Sequence, residues 1–167
     1  RFKEITGHDR LPDVLEGIRE AERVGLAPIK VNVVVMRGIN DDEILEFAKM
    51  TYKEERHVRF IELMPFKWIA EFVPSLEVRQ HMNLLGKVEP STDSIGITGN
   101  GPAMYYRLPG AKGTIGFISP LSELSFCSRC NRMRLIPDGK LRPCLMGEDE
   151  IDLRTPLRDG ASREELK

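Results

Sequence analysis

Residues 29–36 read Ile-Lys-Val-Asn-Val-Val-Val-Met, and this β-branched run decides the fold class. The run is too short for a typical helix, and apolar residues occupy most of its positions. Both features are typical of a strand inside a parallel sheet. We therefore predict a buried parallel strand, with Lys30 and Asn32 on one face and the valines at 31, 33 and 35 turned toward covering helices.

The segments around this run complete a strand, helix, strand pattern. Upstream, apolar residues recur at helical spacing over residues 9–25, which predicts a surface helix with one buried stripe. Downstream, Asn40 and Glu43 predict a capped second helix, and residues 58–64 predict a second strand. Because such crossovers are parallel and right-handed in nearly all proteins, we predict an α/β fold that forms part of a barrel or wound sheet. These folds bind ligands at the carboxyl ends of their strands.

The pattern changes after Pro65, where shorter elements and turn signals follow one another. We predict a helix, a polar loop, two strands and then a hairpin around the turn Pro137-Asp138-Gly139. In chain order these elements cover residues 75–85, 93–101, 103–108, 114–119, 133–136 and 140–145.

Charge and hydropathy limit the function classes. The 167 residues carry 25 Lys and Arg against 26 Asp and Glu, so no whole-molecule field attracts nucleic acid or an anionic membrane. No apolar run approaches the roughly 18 residues that a spanning helix requires. We expect a soluble, cytoplasmic protein without membrane or nucleic-acid partners, and a fragment of a longer chain because the sequence starts at Arg1 without methionine.

Three cysteines, Cys127, Cys130 and Cys144, form the most informative cluster. The Cys-x-x-Cys pair lets the chain wrap around one metal centre, and the turn at Asp138 predicts that Cys144 returns opposite Cys130. A disulfide would use only two of the sulfurs, and a structural zinc site would need a fourth ligand. Open-site zinc and a three-cysteine iron-sulfur cluster both agree with the pattern, and packing as small hydrophobic residues is the simpler alternative.

Basic side chains crowd this segment. Arg132 and Arg134 alternate along a predicted strand and would project to one side, where guanidinium groups suit carboxylate or phosphate oxygens. A solvated strand face explains the charge equally well, but a neighbouring open metal site favours an anionic ligand. The basic residues are Arg129, Arg132, Arg134, Lys140 and Arg142, against the single acid Asp138.

The string at residues 126–145, Phe-Cys-Ser-Arg-Cys-Asn-Arg-Met-Arg-Leu-Ile-Pro-Asp-Gly-Lys-Leu-Arg-Pro-Cys-Leu, closely resembles a known motif. It is similar to the carboxy-terminal cluster motif of GTP 3',8-cyclases of molybdenum cofactor biosynthesis, in the radical S-adenosylmethionine superfamily. Residues 1–7, 30–40 and 59–65 resemble preceding segments of that family in the same order.

The resemblance implies an architecture as well as a chemistry. It implies the carboxy-terminal part of an incomplete (β/α)6 TIM-type barrel, whose last βα units occupy residues 1–65. A region with a β-hairpin, an auxiliary [4Fe-4S] cluster and the GTP site would then occupy residues 66–167.

Site residues carry over from the family position by position. The resemblance implies that Cys127, Cys130 and Cys144 ligate a [4Fe-4S] cluster with one iron open for GTP, and it implies no catalytic side chain. Met64 matches a residue that contacts S-adenosylmethionine, although core packing is the ordinary role of a methionine. The residues implied to bind GTP are Lys30, Arg59, Arg132 and Arg134. For Lys30 the alternative is a strand-end lysine whose amine reaches water.

The implied reaction uses a radical from S-adenosylmethionine to convert GTP into (8S)-3',8-cyclo-7,8-dihydroguanosine 5'-triphosphate, a lyase activity. The family's amino-terminal Cys-x-x-x-Cys-x-x-Cys motif, which binds a second [4Fe-4S] cluster, is absent from this sequence, as is its Gly-Gly tail. We therefore expect this polypeptide alone to be inactive. Family members associate as homodimers, which we also expect here.

Other functions fit parts of the pattern. The main alternative is a zinc-stabilised binding module whose basic hairpin docks an acidic partner or RNA. A zinc hydrolase would need a general base near the metal, but His57 and His81 lie far from the cysteines in sequence. Another radical enzyme with an auxiliary cluster would share the metal and differ in substrate.

Overall fold

The computed structural model describes residues 1–64, 69–91 and 101–166, and the chain divides into two compact units. The first unit, Arg1–Ser128, holds a five-stranded mixed sheet with helices, and the second, Arg129–Lys167, holds a small antiparallel sheet. The loop predicted over residues 93–101 lies almost entirely outside the described residues. Of the helices that the structure describes, none combines the length and apolarity needed to cross a membrane.

Four α-helices and five strands form in the described residues of the first unit. In chain order these are α1 (Phe2–Thr6), α2 (Leu11–Arg23), β1 (Lys30–Val35), α3 (Ile44–Lys53), β2 (His57–Glu62), α4 (Ser75–Met82), β3 (Glu89–Pro90), β4 (Met104–Arg107) and β5 (Thr114–Ile118). The second unit contains β6 (Arg134–Leu135), β7 (Lys140–Arg142), β8 (Ile151–Asp152) and α5 (Arg154–Arg158).

The five-stranded sheet has the order β1-β2-β5-β4-β3. Strand β2 lies between β1 and β5 and pairs parallel to both, so the predicted parallel crossover through α3 is confirmed. Strands β4 and β3 continue the sheet in antiparallel pairing. The α/β class is therefore confirmed, while the incomplete barrel stays a prediction. The compact units do not divide at the predicted boundary after residue 65, because β3, β4 and β5 belong to the sheet that β1 and β2 begin.

One face of this sheet forms the core and the other face of β1 is open. Val33 and Val35 are 6% and 2% exposed, in one cluster with residues of α3 and α4. Asn32 and Val34, on the opposite face, are exposed. The predicted assignment of side chains to the two faces is thus confirmed. Burial of β1 on both faces is wrong for the described residues, because none of them covers the face that carries Asn32.

Helix α2 forms where helical spacing predicts it, but its apolar stripe is not buried. Val14 and Leu15 are 47% and 41% exposed, and no residue of the helix is fully buried. A polar contact ties the end of the helix to the sheet instead, since Arg56 Nε and Nη2 donate to the two carboxylate oxygens of Glu22 at 2.5 and 2.8 Å. The predicted burial of the stripe is therefore wrong for the described residues.

Asn40 does not cap the following helix, contrary to the prediction. Its side-chain oxygen accepts from the backbone N–H of Met36 at 2.7 Å, and its amide donates to the carbonyl of Val34 at 2.9 Å. A 3-10 turn, Asp41–Glu43, then leads into α3 without a side-chain cap. Asn40 satisfies backbone groups where β1 ends, which a local capping pattern cannot reveal.

The second unit is built on the predicted hairpin. Arg134 pairs with Arg142, and the backbone N–H of Ile136 donates to the carbonyl of Lys140 at 2.9 Å, which leaves a three-residue loop. Gly139 closes it with φ of 83°, the left-handed conformation that such loops require. Strand β8 pairs with the other edge of β7.

Gly113 lies just before β5, where the chain passes close to the backbone of Arg56 just before β2. A Cβ atom at this position would lie 1.8 Å from the carbonyl oxygen of Arg56. Because that oxygen belongs to the backbone, it can move away only if the strand itself shifts. We expect Gly113→Ala to destabilise the fold by roughly 3 kcal/mol or more. The measurement is the free energy of unfolding in urea.

Gly17→Ala is the matched control, because a Cβ at Gly17 in α2 meets no atom within 4 Å. We expect this helical change to stabilise the chain by about 0.5–1 kcal/mol. A cost below about 1 kcal/mol for Gly113→Ala would contradict the close approach.

Candidate functional site

One face of the five-stranded sheet carries two of the predicted ligand-binding residues of the first unit, Lys30 and Arg59. The register places Lys30 opposite His57 and Asn32 opposite Arg59, so these four residues share one face. The same rows continue into β5, with Thr114 beside His57 and Gly116 beside Arg59. Lys30 and Arg59, predicted from separate segments, are therefore brought onto one surface.

Arg59 lies across this face with a neutral partner. Its Nε donates to the side-chain oxygen of Asn32 at 2.7 Å, and no described carboxylate lies within ion-pair distance of its guanidinium group. Gly116 provides the space, because a Cβ there would stand 2.9 Å from Arg59 Cγ and 3.1 Å from Tyr105 Cε1. The positive charge of Arg59 is thus held in position without being neutralised by an ion pair in the described residues.

The pKa of His57 is affected by the positive charges at the amino end of this face. Its imidazole is buried, and Nδ1 lies 2.8 Å from Thr114 Oγ1. Burial is the largest cause that lowers the pKa of His57, and the charges of Lys30, Arg107 and Arg59 lower it further against an opposing effect of Glu55. Three cations therefore act on the same point of the sheet, which makes this face suited to an anionic ligand.

Met64 lies at the other end of the parallel strands. It is half-buried and follows the last residue of β2 by two positions, while Lys30 is the first residue of β1 and aligns with His57. Seven residues separate His57 from Met64 in sequence, or roughly 20 Å along an extended chain. Of the residues matched to ligands, Lys30 thus lies at the amino end of the parallel strands, Arg59 lies within β2, and Met64 lies beyond the carboxyl end of β2.

The three cysteines lie in short, exposed segments. Cys127 begins a 3-10 turn, Cys127–Arg129, at the end of the first unit, and Cys130 follows directly in the second. Cys144 lies two residues beyond β7. All three thiols are exposed and free, so none of them is bridged in a disulfide.

The hairpin register corrects one detail of the predicted cluster. Since Arg134 pairs with Arg142, continuing the same register brings Arg132 opposite Cys144. The predicted alignment of Cys130 with Cys144 is wrong by two residues, because the loop at 137–139 is symmetric about Asp138.

The cysteines suit an iron-sulfur centre because of their thiol groups, and not because their side chains already lie at ligand distances from one another. Among the described residues, no group of three or more His, Cys, Asp or Glu side chains is close enough to hold one metal ion. Three exposed, unbridged thiols are nevertheless the ligands that an iron-sulfur cluster requires. The assignment of Cys127, Cys130 and Cys144 as ligands therefore stays a prediction.

Charge on the hairpin is divided between paired and unpaired cations. Lys140 Nζ donates to Glu150 Oε2 at 2.9 Å, and Arg142 Nη2 donates to Glu150 Oε1. These contacts lower the pKa of Glu150, with Arg142 as the largest cause. Arg132 and Arg134 are exposed and have no ion-pair partner among the described residues, so they are the hairpin cations that remain available to a ligand.

Sequence reasoning missed three members of these surfaces. Tyr105 and Arg107 reach the open face through the antiparallel strand β4, with Tyr105 opposite Gly116. Their alternation along the strand was a usable signal, but only the pairing of β4 with β5 assigns them to that face. Glu150 was missed because its partners lie on a strand eight or more residues away in sequence.

The chain matches a protein-family model over most of its length. The model described as Molybdenum Cofactor Synthesis C matches residues 56–167, which cover both the sheet from β2 onward and the cysteine segment. The chain therefore belongs to this family, and the resemblance drawn from residues 126–145 is confirmed.

Individual relatives point the same way. The chain is 48% identical to a GTP 3',8-cyclase of Moorella thermoacetica, over 99% of the chain and 51% of that relative. It is 48% identical to a GTP 3',8-cyclase of Thermodesulfovibrio yellowstonii, over 100% of the chain and 52% of the relative. With one of Gloeobacter violaceus the identity is 46%, over 99% and 51%. The chain thus spans about half the length of these curated relatives.

The lowered pKa of His57 predicts a pH dependence of stability. A buried imidazole whose pKa lies below the unfolded value of 6.5 favours the neutral form in the folded state. The contribution of neutral His57 to the free energy of unfolding is then fully present above pH 6.5. This contribution is lost as the pH falls below 6.5, by up to about 1.4 kcal/mol per pH unit. Urea unfolding between pH 7.5 and 5.5 measures this slope.

His57→Gln should flatten the slope, whereas His8→Gln, at an exposed position, should leave it unchanged. Equal slopes for the wild type and His57→Gln would show that His57 is not the group responsible.

Proposed function

We propose that this chain is the carboxy-terminal part of a GTP 3',8-cyclase, which converts GTP into (8S)-3',8-cyclo-7,8-dihydroguanosine 5'-triphosphate in molybdenum cofactor biosynthesis. The observation that carries the proposal is 48% identity over 99% of the chain to a protein of that name. The geometry agrees, since Lys30 and Arg59 lie on one face of the sheet and the guanidinium group of Arg59 bonds to a neutral partner, Asn32, which would suit a triphosphate.

The residues of this chain would bind and orient the substrate. Lys30 and Arg59 would contact GTP from the sheet, and Arg132 and Arg134 would do so from the hairpin. Charged side chains that hold the triphosphate would fix the ribose relative to the radical source, which would accelerate the reaction by orientation. Met64, at the carboxyl end of β2, would contact S-adenosylmethionine.

Cys127, Cys130 and Cys144 would hold the [4Fe-4S] cluster. The chemistry that a bound three-cysteine cluster supplies is an iron atom with a free coordination position for the guanine base. Radical generation would depend on the family's Cys-x-x-x-Cys-x-x-Cys motif and its second cluster, which these 167 residues do not contain. A polypeptide of these residues alone would therefore be inactive, and we place the whole enzyme in the cytoplasm as a homodimer.

Cys144→Ala tests the ligand set. After anaerobic reconstitution with iron and sulfide, we expect the wild-type chain to bind the two in roughly equal amounts and the variant to lose most of both, because only two thiolates remain. Iron and sulfide analysis with electron paramagnetic resonance measures this outcome.

Ser128→Ala is the control, since it alters the turn between the other two predicted ligands, Cys127 and Cys130, by removing one hydrogen bond to the Ser125 carbonyl and no thiol. Unchanged iron in Cys144→Ala would remove Cys144 from the ligand set. Stoichiometric zinc in place of iron would favour a zinc-stabilised binding module instead.

Arg132→Ala tests the nucleotide site separately from the cluster. A charge-assisted hydrogen bond is worth about 1.5–3 kcal/mol, so we expect GTP affinity to fall by roughly tenfold or more while iron content is retained. Calorimetric titration of the reconstituted chain with GTP gives the affinity. Arg158→Ala, which removes an exposed cation at the end of α5, should leave it unaltered. Equal affinity in Arg132→Ala and the wild type would refute the role of Arg132.

A further inference from the structure

Glu62 is a buried carboxylate that the roles described above do not use. It is the last residue of β2 and is 2% exposed. A carboxylate at such a position is expensive to bury unless hydrogen-bond donors replace the water that it loses. Its partners therefore indicate what the charge holds in place.

Four donors converge on Glu62 from two different segments. The backbone N–H of Ser75, the first residue of α4, donates to Oε1 at 2.9 Å, and the hydroxyl of Ser122 donates to the same oxygen. The backbone N–H groups of Leu121 and Ser122 donate to Oε2 at 2.9 and 3.1 Å. One side chain thus fastens the loop after β5 to the end of β2.

The ionised form of Glu62 is the form that these contacts stabilise. Burial by itself raises the pKa of Glu62, but the Ser122 hydroxyl and the backbone N–H groups of Ser75, Leu121 and Ser122 lower it, and the net shift is downward. Glu62 is therefore a charged acceptor that faces four donors. We call Glu62 and its bonds to Ser75, Leu121 and Ser122 the clamp.

The clamped loop runs directly into the first cysteine. Backbone bonds from Glu123 N–H to the Ser119 carbonyl at 3.3 Å and from Phe126 N–H to the Glu123 carbonyl at 3.0 Å form two successive turns. Cys127 is the next residue, and all of these contacts lie inside the first unit. Ser119 is itself held by its hydroxyl, which donates to Ser75 Oγ at 2.7 Å.

We propose that Glu62 is a positioning residue, which fixes the placement of Cys127 by holding the loop 119–126 against the carboxyl end of β2. The proposal rests on the proposed function in one respect, namely that Cys127 is a cluster ligand. Glu62 would act through its bonds to the backbone N–H groups of Leu121 and Ser122 and to the Ser122 hydroxyl, not as a ligand of the cluster. Because Met64 follows two residues later, the same clamp ties the predicted S-adenosylmethionine contact and the first cluster ligand to one strand end.

Glu62→Gln is the decisive variant. Glutamine keeps the size of the side chain, but its amide group presents hydrogens where the wild type presents an acceptor to N–H donors. In the metal-free chain we expect backbone amides in residues 119–126 to exchange hydrogen about tenfold faster or more, with little change in β1 and α3. Hydrogen exchange read by mass spectrometry gives this local measurement.

Two further variants complete the design. Ser122→Ala removes only the hydroxyl donor and should give a smaller increase in the same segment, which keeps the test valid if Glu62→Gln fails to fold. Glu46→Gln is the control for charge, because Glu46 is exposed and pairs only with Lys49 on α3 at 2.6 Å. It should not alter exchange in residues 119–126.

The second readout is the metal centre. After anaerobic reconstitution we expect Glu62→Gln to bind less iron per folded chain, or to show an altered paramagnetic signal, while Glu46→Gln matches the wild type. Unchanged exchange in residues 119–126, uniformly faster exchange across the chain, or an unaltered metal centre despite a loosened loop would each overturn the proposal. A wild-type chain that binds no iron-sulfur centre would refute the proposed function, whereas the exchange data would still decide whether Glu62 holds the loop.

Discussion

The parallel pairing of β2 with both β1 and β5 determines how the first unit is built. It places Val58, Phe60 and Ile115 in one buried layer beneath α3 and α4. The same register turns the alternate residues to the opposite face, where Lys30 and Arg59 lie. The core and the candidate ligand surface thus both depend on the strand register. A shift of the register by one residue would turn the core residues of a strand to the other face.

Much of this arrangement was readable from sequence because it depends on local periodicity. The valine run fixed the position of β1, and its alternation correctly separated Lys30 from the core-facing valines. The turn residues around Asp138 correctly indicated a hairpin, but they did not define which residues close the loop, and the register of Cys144 was therefore misplaced by two. Composition identifies a turn more securely than it fixes the strand pairing beyond it.

The features that escaped prediction depend on partners distant in sequence. Asn40 looked like a helix cap because its local pattern fits one, yet it bonds the backbone where β1 ends. Glu62 looked like an ordinary strand residue, and only the fold brings Leu121 and Ser122 to its carboxylate. The prediction of helix α2 was correct, but the predicted burial of its apolar stripe was wrong. Helical spacing indicates that a helix has an apolar face, but it does not indicate which residues cover that face.

The pairing of Lys140 and Arg142 with Glu150 changes what kind of polyanion the hairpin could attract. A long nucleic acid gains affinity chiefly by shedding condensed counterions along a continuous row of cations. Here two members of that row, Lys140 and Arg142, already share the carboxylate of Glu150, the residue before β8, which interrupts the row. Arg132 and Arg134 are exposed beside this interruption, so the hairpin presents a pair of neighbouring cations rather than the continuous row that favours a long polyanion.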